Sequence, residues 1–462
     1  MQSIIQQIVQ EYTKRFFEKA VSHIFDLDTA ASLLLPDCKE MAAHLLSAII
    51  SEMNRSFRGD KEARRSHGLV LKEKDRPRTL YTELGEVTFA RDYYYNKETA
   101  SYETPLDAML SLNARERVGG TVLAKLLLSA TETSYQKSTK EVTNGEISRQ
   151  TVYSVIRECP ELEISPPLEK RDPEAIHIYA DEDHVHLQRE KKARGKKSRK
   201  VSLITVTEGI ENVSGRRNRT IRPVHFVAGE EGTGELWKSV DGYLMTACEE
   251  SAERPIYIYG DGAGWIRAGA EALPNAFYVM DKFHFRKALK EATRMNPGAR
   301  LSQNLIQAAR TGNEEMARRS LAEWTVPFHG KEREKASGYK RYFLNNWDGI
   351  VRSYMSFVTG SCTEGEVSHV LSERFSRDPM GWSERNLNNL SKARVYALNG
   401  GTITKETLGR TEAEKYREIA ERLAREVMGK CDWSLFEGGG SNLTAGTGFR
   451  YTENGKRVRL VC

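Results

Sequence analysis

The 462-residue chain carries 70 Lys+Arg against 64 Asp+Glu, a formal net charge of +6, so net charge gives no case for a polyanion partner and clustering must make it. With 39% hydrophobic and 29% charged residues it is too apolar for a disordered chain, and its length predicts two to four structural units. Six cysteines (Cys38, Cys159, Cys248, Cys362, Cys431, Cys462) lie far apart with no C-x-x-C pair, which opposes a zinc ribbon or a disulfide framework and fits a reducing cytoplasm.

The first twenty residues alternate apolar and charged side chains without the apolar run of a signal peptide, and no later stretch reaches transmembrane length; the expectation is a protein neither exported nor membrane-spanning. Over residues 1–70, Ile5, Ile8, Tyr12 and Phe16 form one helical stripe, and Leu34, Met41, Leu45 and Ile49 a second, predicting two or three helices. Residues 71–116 contain TLYTELGEVTFARDYYYN, a β-alternating hairpin around Gly85 whose arms carry Arg76, Arg78 and Arg91.

Residues 117–160 give three short helical patterns, the last two joined by TNGEI. This is a helix-turn-helix outline with Ser148 as expected N-cap and Arg149, Gln150 and Tyr153 on the first turns of the second helix, where such motifs meet base edges. An ordinary helical hairpin gives the same pattern.

After the Pro-rich ISPPLEKRDPEA, residues 172–283 read as βββαβαβ, a mixed sheet covered by helices, with its ligand-binding edge expected at the carboxyl ends of the strands. Residues 284–357 read as an amphipathic helical insertion carrying Trp324 and Trp347, after which residues 358–400 return to the core. Residues 401–462 hold one clear helix and end in FRYTENGKRVRLV, where Asn454-Gly455 is a hairpin-turn signal.

Asp181 falls within the first core strand, Asp261 directly after the apolar IYIYG and Asp281 directly after AFYVM. Taken singly, each is ordinary as a helix cap or turn residue. Taken together on three strands, they are the hard oxygen ligands that metal-dependent phosphoryl transfer needs. His184 and His186 with Asp183 offer a rival zinc reading, but alternation along a strand turns both histidines away from Asp181.

The segments IYADEDHVHLQ, YGDGAGWI, YVMDKFHFRKAL and SCTEGEVSHVLSERF with PMGW, in this order, resemble those of the ISLre-type bacterial insertion-sequence transposases. The resemblance runs from the N-terminal helices to PMGW, and the last sixty residues contribute little. It implies an α/β fold with a ribonuclease H-like mixed-sheet catalytic core of the DDE kind, interrupted by a helical insertion and preceded by the helical, hairpin and helix-turn-helix region. Asp181, Asp261 and Glu364 match its catalytic and metal-binding carboxylates, separated by 80 and 103 residues. Two Mg²⁺ or Mn²⁺ ions per site, double-stranded DNA partners (terminal inverted repeats and target) and a homo-oligomer on DNA follow from the same resemblance.

Asp281, with His284 in the same D-x-F-H element, is the rival for the second position; Gly262 and Gly264 beside Asp261 favour Asp261 by leaving room for a ligand. Glu366, Glu373 and Glu384 lie near Glu364, and only the TEG motif selects among them. The run 189–200 holds eight basic residues against one acid, with Lys191, Lys192, Arg194, Lys196, Lys197, Arg199 and Lys200 as candidate phosphate contacts one loop from Asp181. Trp324 and Trp347 are core residues or bases' stacking partners. A ribonuclease H-like nuclease without strand transfer and a catalytically silent DNA-binding regulator remain the alternatives.

Overall fold

Asp26 opens the longest helix by accepting a hydrogen bond from the Thr29 amide at 3.2 Å, a cap that satisfies one of the orphan donors of the first turn. The computed structural model describes residues 1–23, 26–188, 198–214, 217–229, 232–358, 360–377, 381–409, 414–430, 449–451 and 457–459. The chain divides into two units, Met1–Leu123 with Gly409–Cys462, and Ala124–Leu408.

The first unit begins with α1 (Gln2–Ser22), α2 (Leu27–Gly59) and α3 (Lys61–Ser66). The stripe expected on α1 meets α2 through Tyr12, whose hydroxyl lies 3.1 Å from His44 Nδ1. A three-stranded antiparallel sheet follows, β1 (Leu69–Thr82), β2 (Gly85–Asn96) and β3 (Ser101–Glu103), in that order, with Gly85 at φ +95 where the tight turn ends. Then comes α4 (Pro105–Met109). Arg78 and Arg91, on opposite arms of the hairpin, both pair with Asp107 of α4, so these two arginines tie the hairpin to its own unit.

The second unit starts with α5 (Gly120–Glu132), α6 (Tyr135–Thr143) and α7 (Arg149–Arg157). The turn between α6 and α7 contains Asn144 in the left-handed conformation, as TNGEI predicts. Ser148 precedes α7 but makes no side-chain cap bond; its hydroxyl lies 3.3 Å from that of Thr151 instead.

The central sheet is built from β4 (Ile176–His186), β5 (Ser198–Thr207), β8 (Val224–Val227), β9 (Ile256–Gly260) and β10 (Ala276–Met280). Their spatial order is β10-β9-β4-β5-β8; β4, β5 and β8 pair antiparallel, whereas β9 and β10 run parallel to β4. Between β5 and β8 an additional hairpin, β6 (Ile210–Ser214) with β7 (Arg217–Thr220), departs from the expected three-strand run. Its polar sequence gave no apolar alternation to read.

Helices α8 (Thr233–Ala247) and α9 (Gly264–Ala272) alternate with the last strands, and α10 (Lys282–Met295), α11 (Leu301–Thr311), α12 (Glu314–Thr325), α13 (Gly330–Asn345) and α14 (Trp347–Arg352) form the expected helical segment. It shares the sheet's own core: Ile176, Ile178, Ala180, Ile258 and Met280 cluster with Leu289, Leu305, Trp324, Phe343 and Ile350. Trp324 and Trp347 are 2% and 4% exposed, which makes them core residues and removes them as stacking partners for a base.

On the other sheet face lie Tyr179, Tyr259 and Val279 with Val358 and, partly buried, Cys362. The chain continues there as α15 (Thr363–Val367), a π-helical turn (Ser368–Ser372) and α16 (Glu373–Phe375). Trp382 of the PMGW segment pairs with the end of β4, its carbonyl accepting from the Gln188 amide at 2.8 Å, before α17 (Glu384–Leu398). Helix α18 (Arg417–Gly429) returns to the first unit, where Leu423 and Val427 join the core beside α2. At the C-terminus β11 (Phe449–Tyr451) pairs antiparallel with β12 (Arg457–Arg459); Asn454-Gly455 lies outside the described residues.

Buried Arg394 of α17 donates to the carbonyls of Val370 (2.6 Å) and His369 (2.7 Å) in the π turn and of Thr131 (2.8 Å) in α5. A π turn leaves carbonyls outside the α-helical ladder, and a buried guanidinium satisfies them. Replacing Arg394 by Met strands these acceptors, and denaturant unfolding should show a loss of about 3 kcal/mol.

Candidate active site

Parallel pairing places Tyr179 opposite Tyr259, and Tyr259 opposite Val279. Two residues further along each strand's path stand Asp181, Asp261 and Asp281, so three aspartates lie in one row, Asp181 within β4 and the other two just past the ends of β9 and β10. Their environments then separate their roles.

Asp181 is buried, with one carboxylate oxygen accepting from the Glu182 amide at 2.8 Å. Its other oxygen lies 3.8 Å from His284 Nε2, and the same nitrogen lies 3.2 Å from Glu364 Oε1. Asp181, His284 and Glu364 thus present three ligand atoms within 4.8 Å of one another. Burial, with the nearby charges of Asp261 and Glu364, pushes the Asp181 carboxyl up to about 6, against the pull of the Glu182 amide and His284.

His284 reaches this cluster because Asp281 caps α10: one Asp281 oxygen accepts from the Phe283 amide at 2.7 Å, fixing the helix start three residues before the imidazole. The other Asp281 oxygen accepts from Ser361 Oγ at 2.7 Å, and Ser361 Oγ lies 2.6 Å from Thr363 Oγ1, next to Glu364. Both oxygens of Asp281 are therefore committed to local donors, and it lies outside the close cluster.

Asp261 opens the loop after β9, where its side chain accepts from the Ala263 amide at 2.8 Å and its carbonyl from the Tyr342 hydroxyl at 3.1 Å. It also lies outside the three-residue cluster, acting on Asp181 through its charge. Gly262, at φ +92, is seated against Asn346: a Cβ there would stand 2.4 Å from Asn346 Oδ1. The expectation that Gly262 clears space for a ligand is corrected by this contact, whereas Gly264 does face open space.

The rival glutamates are engaged elsewhere. Glu366 accepts from Thr220 at 2.9 Å and its carboxyl is raised by burial; Glu373 lies 3.1 Å from both His369 and Arg377; Glu384 lies 3.4 Å from Arg199. Glu364 is 53% exposed, on the first turn of α15. His184 and His186 are exposed and outside the cluster.

Of the basic run, Lys191, Lys192, Arg194, Lys196 and Lys197 lie outside the described residues. Arg199 contacts Glu384 and donates to the Gly229 carbonyl at 3.2 Å, and Lys200 forms an ion pair with Glu182. That hydrogen bond, with the charges of Glu182, Asp261 and Asp181, raises the Lys200 ammonium. On α7, Arg149 and Gln150 are exposed, whereas Tyr153 is half-buried and its carbonyl accepts from Asn386 at 3.1 Å.

Two carboxylates and an imidazole form a donor set suited to a divalent cation, and His284 Nε2 is buried without a hydrogen-bond partner, so the residues fit a metal site. Tyr342 and Asn346 support the loop from 81 and 85 residues beyond Asp261, a separation that concealed them from the sequence.

The fold and site define a mixed α/β protein, a five-stranded sheet covered by helices, with an acidic and histidine cluster beside it. The chain belongs to the uncharacterised protein family UPF0236, which it matches over residues 22–412. A UPF0236 protein of Caldanaerobacter subterraneus subsp. tengcongensis is 33% identical over 447 residues, covering 94% of this chain and 92% of the relative. Another from the same strain is 35% identical over 376 residues, covering 80% and 78%. The UPF0236 protein in the vanSb 3′ region of Streptococcus gallolyticus is 26% identical over 280 residues, covering 58% and 60%. Among solved structures, a Drosophila P element transposase strand transfer complex overlaps 67% of this chain and 91% of that one at 12% identity, with a TM-score of 0.19, too loose an overlap to carry an argument.

The raised Asp181 carboxyl has a consequence for stability. Unfolded, it ionises near 3.8; between there and about pH 6 the native state binds more protons, so its contribution to stability falls as pH rises. Asp181→Asn should raise the metal-free melting temperature at pH 7 by roughly 2–5 K, and the gain should fade towards pH 4. A lower melting temperature at pH 7 would show the carboxylate to be a stabilising partner.

Proposed function

We infer that this chain is the transposase of a bacterial insertion sequence of the ISLre type, with a ribonuclease H-like DDE core that cleaves element ends and transfers the strand into target DNA. The observation that carries this reading is the placement of Asp181 and Asp261 at the same height on adjacent parallel strands, with Glu364 brought to Asp181 from a later helix. The sheet supports it: counting its strands in chain order as one to five, they lie 3-2-1-4-5 with only the second antiparallel to the rest. The name of one relative joins eleven designations from a single strain, which fits a gene carried in several copies, as mobile elements are.

Asp181, Asp261 and Glu364 would hold two Mg²⁺ or Mn²⁺ ions, which when bound activate an attacking oxygen and stabilise the leaving one. The chain's own residues perform the positioning. Burial of Asp181 keeps its charge poorly hydrated, and therefore strongly interacting, once the carboxyl ionises. His284, anchored by Asp281, sits between Asp181 and Glu364 and offers its imidazole as a further ligand to an ion held there. Water first attacks a phosphodiester at the element end, and the freed 3′-hydroxyl then attacks target DNA in line. Exposed Arg149 and Gln150 on α7 read terminal-repeat bases, the basic run around Lys200 holds phosphates, and two or more subunits pair the ends in the bacterial cytoplasm.

The test is cleavage and joining of labelled DNA carrying the gene's own flanking ends, with Mg²⁺. Wild type should give joined products, and Asp181→Asn and Glu364→Gln should each lose at least about 10³-fold in rate. A metal has to displace the proton that burial holds on Asp181, so the Mg²⁺ concentration needed for half-maximal cutting should rise as the pH falls below about 6. Cutting without joining would make the protein a nuclease; sequence-specific binding without metal-dependent chemistry would make it a regulator.

A further inference from the structure

Helix α10 carries more from the site than His284. Phe283, Lys287, Lys290 and Arg294 are exposed and spaced along one helical face, while Phe285, Leu289 and Ala292 on the opposite side are buried. Among the described residues no carboxylate pairs with Lys287, Lys290 or Arg294; the Lys287 ammonium instead lies 6.0 Å over the Phe283 ring. Glu291, the acid on this helix, accepts from the Tyr339 hydroxyl at 2.8 Å.

Phe283 is 52% exposed, and its ring stands 5.4 Å from the His284 imidazole at 90°. About half of the phenyl ring is in water, and the ring lies at the edge of the acidic cluster. Trp324 and Trp347 are buried, and among the described residues Phe283 is the exposed aromatic contacting a residue of the cluster.

A carboxylate cluster repels phosphates, so affinity for a polyanion has to come from cations around it. Lys200, read above as a phosphate contact, also pairs with Glu182, so the acidic cluster calls for further cations beside it. From Lys287 to Arg294 the helix rises about 10 Å, so the three cations form one row along that face.

We propose that α10 is the track for the DNA strand entering the site: Lys287, Lys290 and Arg294 neutralise phosphates along it, and Phe283 stacks on the base beside the scissile phosphodiester. This rests on the phosphoryl-transfer reading and adds to it which surface holds the substrate.

The test uses the full chain and a labelled duplex carrying the gene's flanking end, with binding measured by anisotropy across a salt series and cutting measured in parallel. Each lost phosphate contact lowers the slope of log affinity against log salt by about 0.9, so the triple variant Lys287→Ala, Lys290→Ala, Arg294→Ala should show a slope shallower by about 3. Phe283→Ala should bind about tenfold more weakly. Phe283→Trp should restore that loss, and the loss should vanish on a duplex with an abasic site at the stacked position. An unchanged salt slope overturns the track, and a Phe283→Ala penalty equal on intact and abasic DNA overturns the stacking. If wild type cuts while the α10 variants match it, this inference alone falls. If wild type neither binds nor cuts, the phosphoryl-transfer reading falls with it.

Discussion

Backbone hydrogen bonds between β4, β9 and β10 hold Asp181, Asp261 and Asp281 at one height, because Tyr179 pairs with Tyr259 and Tyr259 with Val279. Side chains alternate along a strand, so a slip of one residue would turn Asp181 towards the apolar face that buries Ile178 and Ala180. The aromatic cluster of Tyr179 and Tyr259 on one side and the helix-covered core on the other fix that register. Everything chemical in the molecule is arranged around this row.

From that row the three aspartates diverge by what surrounds them. Asp281 spends both oxygens on local donors and so aligns α10, which carries His284, with the segment that carries Glu364. Asp181 is buried with few donors and near other acids, and its carboxyl is raised accordingly. Asp261 lies on a loop held by Tyr342 and by the seat of Gly262 against Asn346.

Much of this was legible in the sequence, for reasons that are local. Apolar strands ended by Asp, the helical spacing of residues 284–357 and the Asn-Gly turn before α7 are short-range signals, and the structure contains each element. The polar β6–β7 hairpin was hidden because it lacks apolar alternation. That the helical segment shares the sheet's core was hidden too, since periodicity shows which face is apolar without showing what it meets. The same limit left Trp324 and Trp347 open between core packing and base stacking, and packing buries both. At the site, Asp181, Glu364 and His284 were each marked by motif, but the choice of His284 over Asp261 as the close neighbour of Asp181 depends on where α10 begins, a matter of tertiary geometry.

The proposed phosphoryl transfer requires divalent metal held by Asp181 and Asp261 of this row with the helix-borne Glu364. An anomalous difference map from crystals grown with Mn²⁺ and the element-end DNA tests it most directly. Strong peaks are expected among Asp181, Asp261 and Glu364, lost in Asp181→Asn; peaks confined to other acids, or none at saturating Mn²⁺, would rule the site out.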